Sequence, residues 1–139
     1  MVEPCSDLER FIRGEWDPAE FPHREHVRMG FEILRRYDFA AAAFHYSQGL
    51  RSMLGRAAQP QAFHQTITIA FLSLIAERMD ENAYADFEAF TRANVDLTDK
   101  SALCRWYRPE RLASGTARRT FLLPDGWPNP SPSSDFPVG

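Results

Sequence analysis

The chain has 139 residues, 44% of them apolar and 25% charged, with a formal net charge of −3. Such a chain is long enough for one globular domain to bury a core without disulfides or a structural metal, so a bound metal would be functional. The cations are scattered among carboxylates, which excludes the continuous basic face that nucleic acid or an anionic membrane requires.

No apolar run approaches the ~20 residues of a membrane span. The N-terminus, Met1-Val2-Glu3-Pro4, lacks the basic and apolar regions of a signal peptide, so a cytoplasmic protein is expected. Cys5 and Cys104 form no Cys-x-x-Cys pair and are expected to be independent thiols.

Taken in order, Leu8, Phe11, Ile12 and Trp16 predict a short helix or turn interrupted by Gly14. Asp17-Pro18-Ala19-Glu20 has the Asp cap, first-position Pro and acidic residue of a helix start. Pro22 holds Phe21 extended, so the first main helix is placed from Pro22 or His23 to Tyr37. Asp38 caps a second helix, Phe39 to Leu54, ended near Gly55. A third runs from about Pro60 to Met79, and a fourth, capped by Asp80-Glu81-Asn82, passes through Phe87 and Phe90 to about Ala93. Asn94 to Thr98 is read as a loop and Asp99 to Tyr107 as a short fifth helix that Pro109 stops. Ser114 caps one more turn, Gly115 to Arg119, and Phe121 to Pro124 is extended. No period-2 alternation is long enough for a sheet. The fold class is therefore all-α, an up-and-down bundle of about four main helices with short extra helices. Residues 1–124 form the domain, and 125–139, rich in Pro and Ser, form a flexible tail in which Trp127 could dock back across the bundle or act as a lid.

His23 and His26 share the inward stripe of the first main helix with Val27, Gly30, Ile33 and Leu34. His64 lies on the inward stripe of the third with Ile67, Thr68 and Phe71. Consecutive helices of an up-and-down bundle alternate in direction, so helices one and three start at the same end, and the three imidazoles are expected within roughly 6 Å of one level along the axis. Residues three apart on a helix can chelate one ion, and a third imidazole from a facing helix completes a three-histidine cap with open positions for water or substrate. The expected metal residues are His23, His26 and His64, holding one divalent transition metal that the ligands leave open between zinc, iron, copper and nickel. Gln65 and Thr68 are candidates to orient a ligand imidazole or a bound water. Tyr46, Arg51 and Tyr107 are candidates to line the opening. Glu25 lies toward the polar face, and His45, nearer the opposite end, is expected not to be a ligand.

Three segments carry a resemblance. Phe21-x-His23-x-x-His26-Val27-Arg28, His64-x-Thr66-Ile67-Thr68 and Tyr107-x-Pro109-Glu110-x-Leu112-x-Ser114-x-x-Ala117-Arg118-x-x-Phe121-x-x-Pro124-Asp125 together resemble a family of short, mostly uncharacterised bacterial proteins, over roughly Phe21 to Asp125. The resemblance brings the three histidines as a set and names no reaction. Members often have Tyr-His-Glu where this chain has Phe63-His64-Gln65, which implies altered metal preference or weakened base chemistry if the Glu is a ligand or base. The three-histidine set is also similar to the DinB-like metal-binding proteins, with a different histidine spacing.

The expected function is a small mononuclear metalloenzyme acting on a small organic molecule, with reaction type open. One alternative is a metal-free helical module that binds a partner or forms a homodimer through a Phe-rich surface. Another is a non-catalytic metal sensor or carrier with a closed coordination sphere.

Overall fold

The computed structural model describes residues 4–125; Trp127 and the rest of the expected tail from 126 onward lie outside the described residues. The chain folds as an all-α bundle, with no strand among the described residues, built from α1 (Pro4–Ile12), α2 (His23–Arg36), α3 (Phe39–Arg56) and α4 (Gln65–Glu81), followed by the shorter α5 (Phe87–Ala93), α6 (Pro109–Leu112) and α7 (Gly115–Arg119). None of these helices is long and apolar enough to cross a membrane.

Local chemistry sets most of the boundaries. Pro22, extended at ψ 174°, starts α2 without a side-chain cap, and the Asp38 carboxylate starts α3 by accepting the Ala41 N–H. The left-handed backbone of Ala58, at φ 57°, turns the chain away from α3. Asp17 caps only a 3₁₀ turn, Pro18–Glu20, because Pro22 follows too soon for a longer helix. Pro60 likewise opens a separate 3₁₀ turn, Pro60–Ala62, so α4 begins five residues later than Pro60, at Gln65, with His64 as its capping residue. Asp80 and Glu81 remain inside α4, and the cap of the next helix is Asp86, whose carboxylate accepts the Ala89 N–H. Between residues 94 and 107 the chain makes two 3₁₀ turns, Val95–Thr98 and Ala102–Arg105, in place of one loop and one helix. Pro109, expected to stop a helix, starts α6 instead.

The core lies on both sides of α2 and α4. Met29 and Ile33 of α2 and Leu72 of α4 pack with Leu8, Phe11, Tyr46, Leu50 and Met53 of α1 and α3. Val27 and Phe31 of α2, and Phe71 and Ile75 of α4, pack with Phe87, Phe90, Leu97, Leu103 and Tyr107 on the other side. Phe11 stacks on Phe21 with ring centres 5.3 Å apart, which joins α1 to the segment leading into α2. A Cβ at Gly49 would sit 2.6 Å from the Phe11 carbonyl oxygen, so α1 and α3 approach as closely as they do only because that position has no side chain.

The C-terminal elements are held onto this core by polar side chains. The Thr66 hydroxyl, fully buried, donates to the Thr120 carbonyl at 2.7 Å and accepts the Leu122 N–H at 3.1 Å. The Tyr107 hydroxyl donates to the Leu122 carbonyl. Ser114 caps α7 through the Ala117 N–H, and Ala117 is fully buried. Asp125, the first residue of the expected tail, accepts the Arg108 N–H. Asp96, in the turn Val95–Thr98, binds the guanidinium groups of Arg78 and Arg105, which hold its carboxyl well below the usual carboxylate range.

Candidate functional site

His23, His26 and His64 line one cavity of about 430 Å³, together with Tyr46, Thr68, Lys100, Arg118 and mostly apolar side chains of α2, α3 and α4. The starts of α2 and α4 therefore do face a common space, and the volume falls within the range of small-molecule pockets.

Each imidazole is held differently. His23, the first residue of α2, has Nε2 2.9 Å from the Leu97 carbonyl. A carbonyl can only accept, so Nε2 carries a proton. Its ring edge meets Phe71, with centres 4.9 Å apart.

His64 has both ring nitrogens engaged. Nδ1 accepts the Ile67 N–H at 3.1 Å, which makes the imidazole the cap of α4, and Nε2–H donates to the Leu112 carbonyl at 2.7 Å. Its backbone carbonyl in turn accepts the Thr68 hydroxyl at 2.7 Å.

His26 is the exception. Among the described residues its ring nitrogens have no hydrogen-bond partner, while no enclosed side-chain nitrogen or oxygen is left unpaired, so these nitrogens are not sealed in the core, and the residue lines the cavity. Burial, and secondarily the charge of His23, lowers its pKa to about 4, and the ring is neutral at physiological pH. It lies against Phe21 at 4.5 Å between ring centres and 6.5 Å from the His23 ring.

Among the described residues no three His, Cys, Asp or Glu side chains form a group arranged to hold one ion. Two imidazoles on one tetrahedral ion, each with a metal–nitrogen bond of about 2 Å, have ring centres roughly 5 Å apart. The His23–His26 separation of 6.5 Å exceeds this, and the Ile67 amide occupies the His64 nitrogen that is not bound to Leu112.

The polar neighbours expected around the site divide. Thr68 lines the cavity, but its hydroxyl proton goes to the His64 carbonyl, so it supports the His64 backbone rather than an imidazole. Gln65 faces Arg51, whose guanidinium donates to Gln65 Oε1 at 3.2 Å and lies over the Phe63 ring, and neither Gln65 nor Arg51 lines the cavity. The groups that fix His23 and His64 are the Leu97 and Leu112 carbonyls. Glu25 is taken by Arg28, which also binds Asp7 at 2.8 Å. Tyr46 lines the cavity and donates to the His26 carbonyl at 2.8 Å, and burial raises its phenol well above the ordinary tyrosine value. Tyr107 is turned to Leu122, and His45 packs on Tyr37 outside the cavity. Two lining residues that sequence reasoning missed are Lys100 and Arg118, which come from short loops and helices distant in the chain. A lone surface cation carries no sequence signal of the space it faces.

Three segments distant in the chain meet here, through His23, His26 and Val27, then His64, Ile67 and Thr68, then Leu112 and Arg118. Comparison of the chain with family models, curated proteins and solved structures found no match.

Proposed function

We propose that this chain binds a small organic molecule with an apolar body in the cavity between α2, α3 and α4, and that His26 is the group it meets. The observation that carries this reading is a neutral imidazole, without an internal hydrogen-bond partner among the described residues, facing a largely apolar cavity. An apolar pocket with a few convergent polar groups is the usual form of a small-molecule site. His26 offers one N–H and one lone pair to a ligand, and the His23 ring stands beside it on the same cavity wall. His26 can therefore both donate and accept a hydrogen bond with a bound molecule, while the Leu97 carbonyl holds the His23 ring in place beside it.

Titration of protein labelled with 15N-histidine tests the pocket. Addition of 1-octanol is expected to shift the His26 and His23 ring nitrogens saturably, and Ile67→Trp, which fills the cavity, to abolish the response. Ring signals that do not move up to the solubility limit of octanol would overturn the proposal.

A second reading makes the same three residues ligands to one divalent ion, which would supply Lewis-acid or redox chemistry to the bound molecule. It is favoured by the Nε2–H groups of His23 and His64, each given to a backbone carbonyl in the way metal-bound imidazoles are commonly oriented. It requires the Ile67 amide to release His64 and the His23 and His26 rings to close together. Elemental analysis of protein made without a metal-binding tag decides this reading. Near-stoichiometric metal, lost in both His23→Ala and His64→Ala, supports it. Metal-free protein that takes up none of zinc, iron, copper or nickel overturns it.

A further inference from the structure

Among the described residues, the cavity lining includes no carboxylate and two cations, Lys100 and Arg118. Both are solvent-exposed residues that also line the cavity, so they stand where it opens. They flank it from different elements. Lys100 follows the turn whose Leu97 carbonyl holds His23, and Arg118 of α7 donates to the Gln61 carbonyl just ahead of His64. Neither has a salt-bridge partner among the described residues, whereas Arg24, Arg28, Arg78 and Arg105 all do. The nearby Asp99 does not line the cavity, and its Oδ1 accepts both the N–H and the hydroxyl of Ser101. After these hydrogen bonds the charges of His23 and Lys100 also lower its pKa, so it offsets part of the Lys100 charge, while Arg118 has no such neighbour among the described residues. The local balance points the same way: residues 99–125 hold six cations and three carboxylates in a chain whose net charge is −3.

An excess of positive over negative charge at the mouth of an apolar cavity focuses a positive potential into it, because field lines are screened less by the low-dielectric walls than by water. Resting on the pocket reading above, we propose that the ligand is an amphipathic anion whose carboxylate or phosphate head sits between Lys100 and Arg118. Its body lies against Val27, Leu50, Ile67 and Phe71. The two cations act as binding residues; among the described residues Arg118 gives one guanidinium N–H to Gln61 and no other to a protein acceptor.

Calorimetric titration with octanoate, 1-octanol and octylamine, which share one body and differ in charge, tests this. Octanoate is expected to bind at least tenfold tighter than octanol, with octylamine weakest and the octanoate preference falling as salt rises. The double variant Lys100→Met, Arg118→Met is expected to bring octanoate down to the octanol affinity while octanol binding stays unchanged. Octanoate no tighter than octanol overturns the anionic-ligand proposal and leaves the pocket standing. A preference that survives in the double variant overturns the assignment to Lys100 and Arg118. Failure of all three probes overturns the pocket reading and this proposal together.

Discussion

Tyr46 of α3 donates its hydroxyl proton to the backbone carbonyl of His26 on α2, 2.8 Å away, so the residue that bounds the cavity also fixes the helix turn that carries its free imidazole. The carbonyl of a residue within a helix also accepts from the amide four residues on, so Tyr46→Phe does not leave it unsatisfied. The loss is expected to be about 1 kcal/mol in a urea melt. The ring nitrogen signals of His26 should shift more than those of His64.

The lowered pKa of His26 sets a pH dependence of stability. The unfolded imidazole takes up a proton near pH 6.5, whereas the folded one does so only near its value of about 4. The contribution from keeping this ring neutral is therefore complete above about pH 6.5 and is lost progressively as pH falls toward and through 4. The difference amounts to roughly 3 kcal/mol at most. Denaturant melts between pH 7.5 and 4 are expected to show this slope, and His26→Leu to flatten it.

Thr66 is expected to be the most sensitive of the buried polar residues. Thr66→Val keeps the shape but leaves the Thr120 carbonyl and the Leu122 N–H without their side-chain partner. A cost of about 2 kcal/mol follows. Hydrogen exchange should rise first in residues 120–125, ahead of α2 and α3.

Two glycines of α3 should respond to alanine with opposite signs. At Gly49 a Cβ would press on the backbone oxygen of Phe11, which cannot swing aside, and Gly49→Ala is expected to destabilise by about 1–3 kcal/mol despite the better helix former. At Gly55 a Cβ meets nothing within 4 Å, and Gly55→Ala is expected to stabilise by up to about 1 kcal/mol. Thermal melts of the two variants suffice.

How much of this was legible in the sequence depends on whether the controlling group was a side chain. The starts of α2, α3 and α7 follow from Pro22, Asp38 and Ser114, whose effect is local. The common cavity of His23, His26 and His64 follows from two helices that start at one end of the bundle. The capping role of His64 was not legible, because imidazole is a rare cap and Pro60 supports a continuous helix as readily as a separate turn. Asp80 and Asp86 are equally plausible caps by residue type, and tertiary packing of Phe87 and Phe90 decides between them. The partners that hold the His23 and His64 rings are backbone carbonyls, which every residue has. No reading of side chains singles out Leu97 or Leu112.

The dependence of His64 on Leu112 also orders events on the ribosome. Phe11, Met29, Ile33 and Leu72 all come from α1 to α4, so this half of the core contains nothing translated after Glu81. At that stage His23 still lacks its carbonyl, His64 lacks its second partner, and the space between α2 and α4 has neither Lys100 nor Arg118 at its edge. The elements that carry this half of the core therefore end at Glu81, whereas the cavity is complete only with Arg118, 37 residues later.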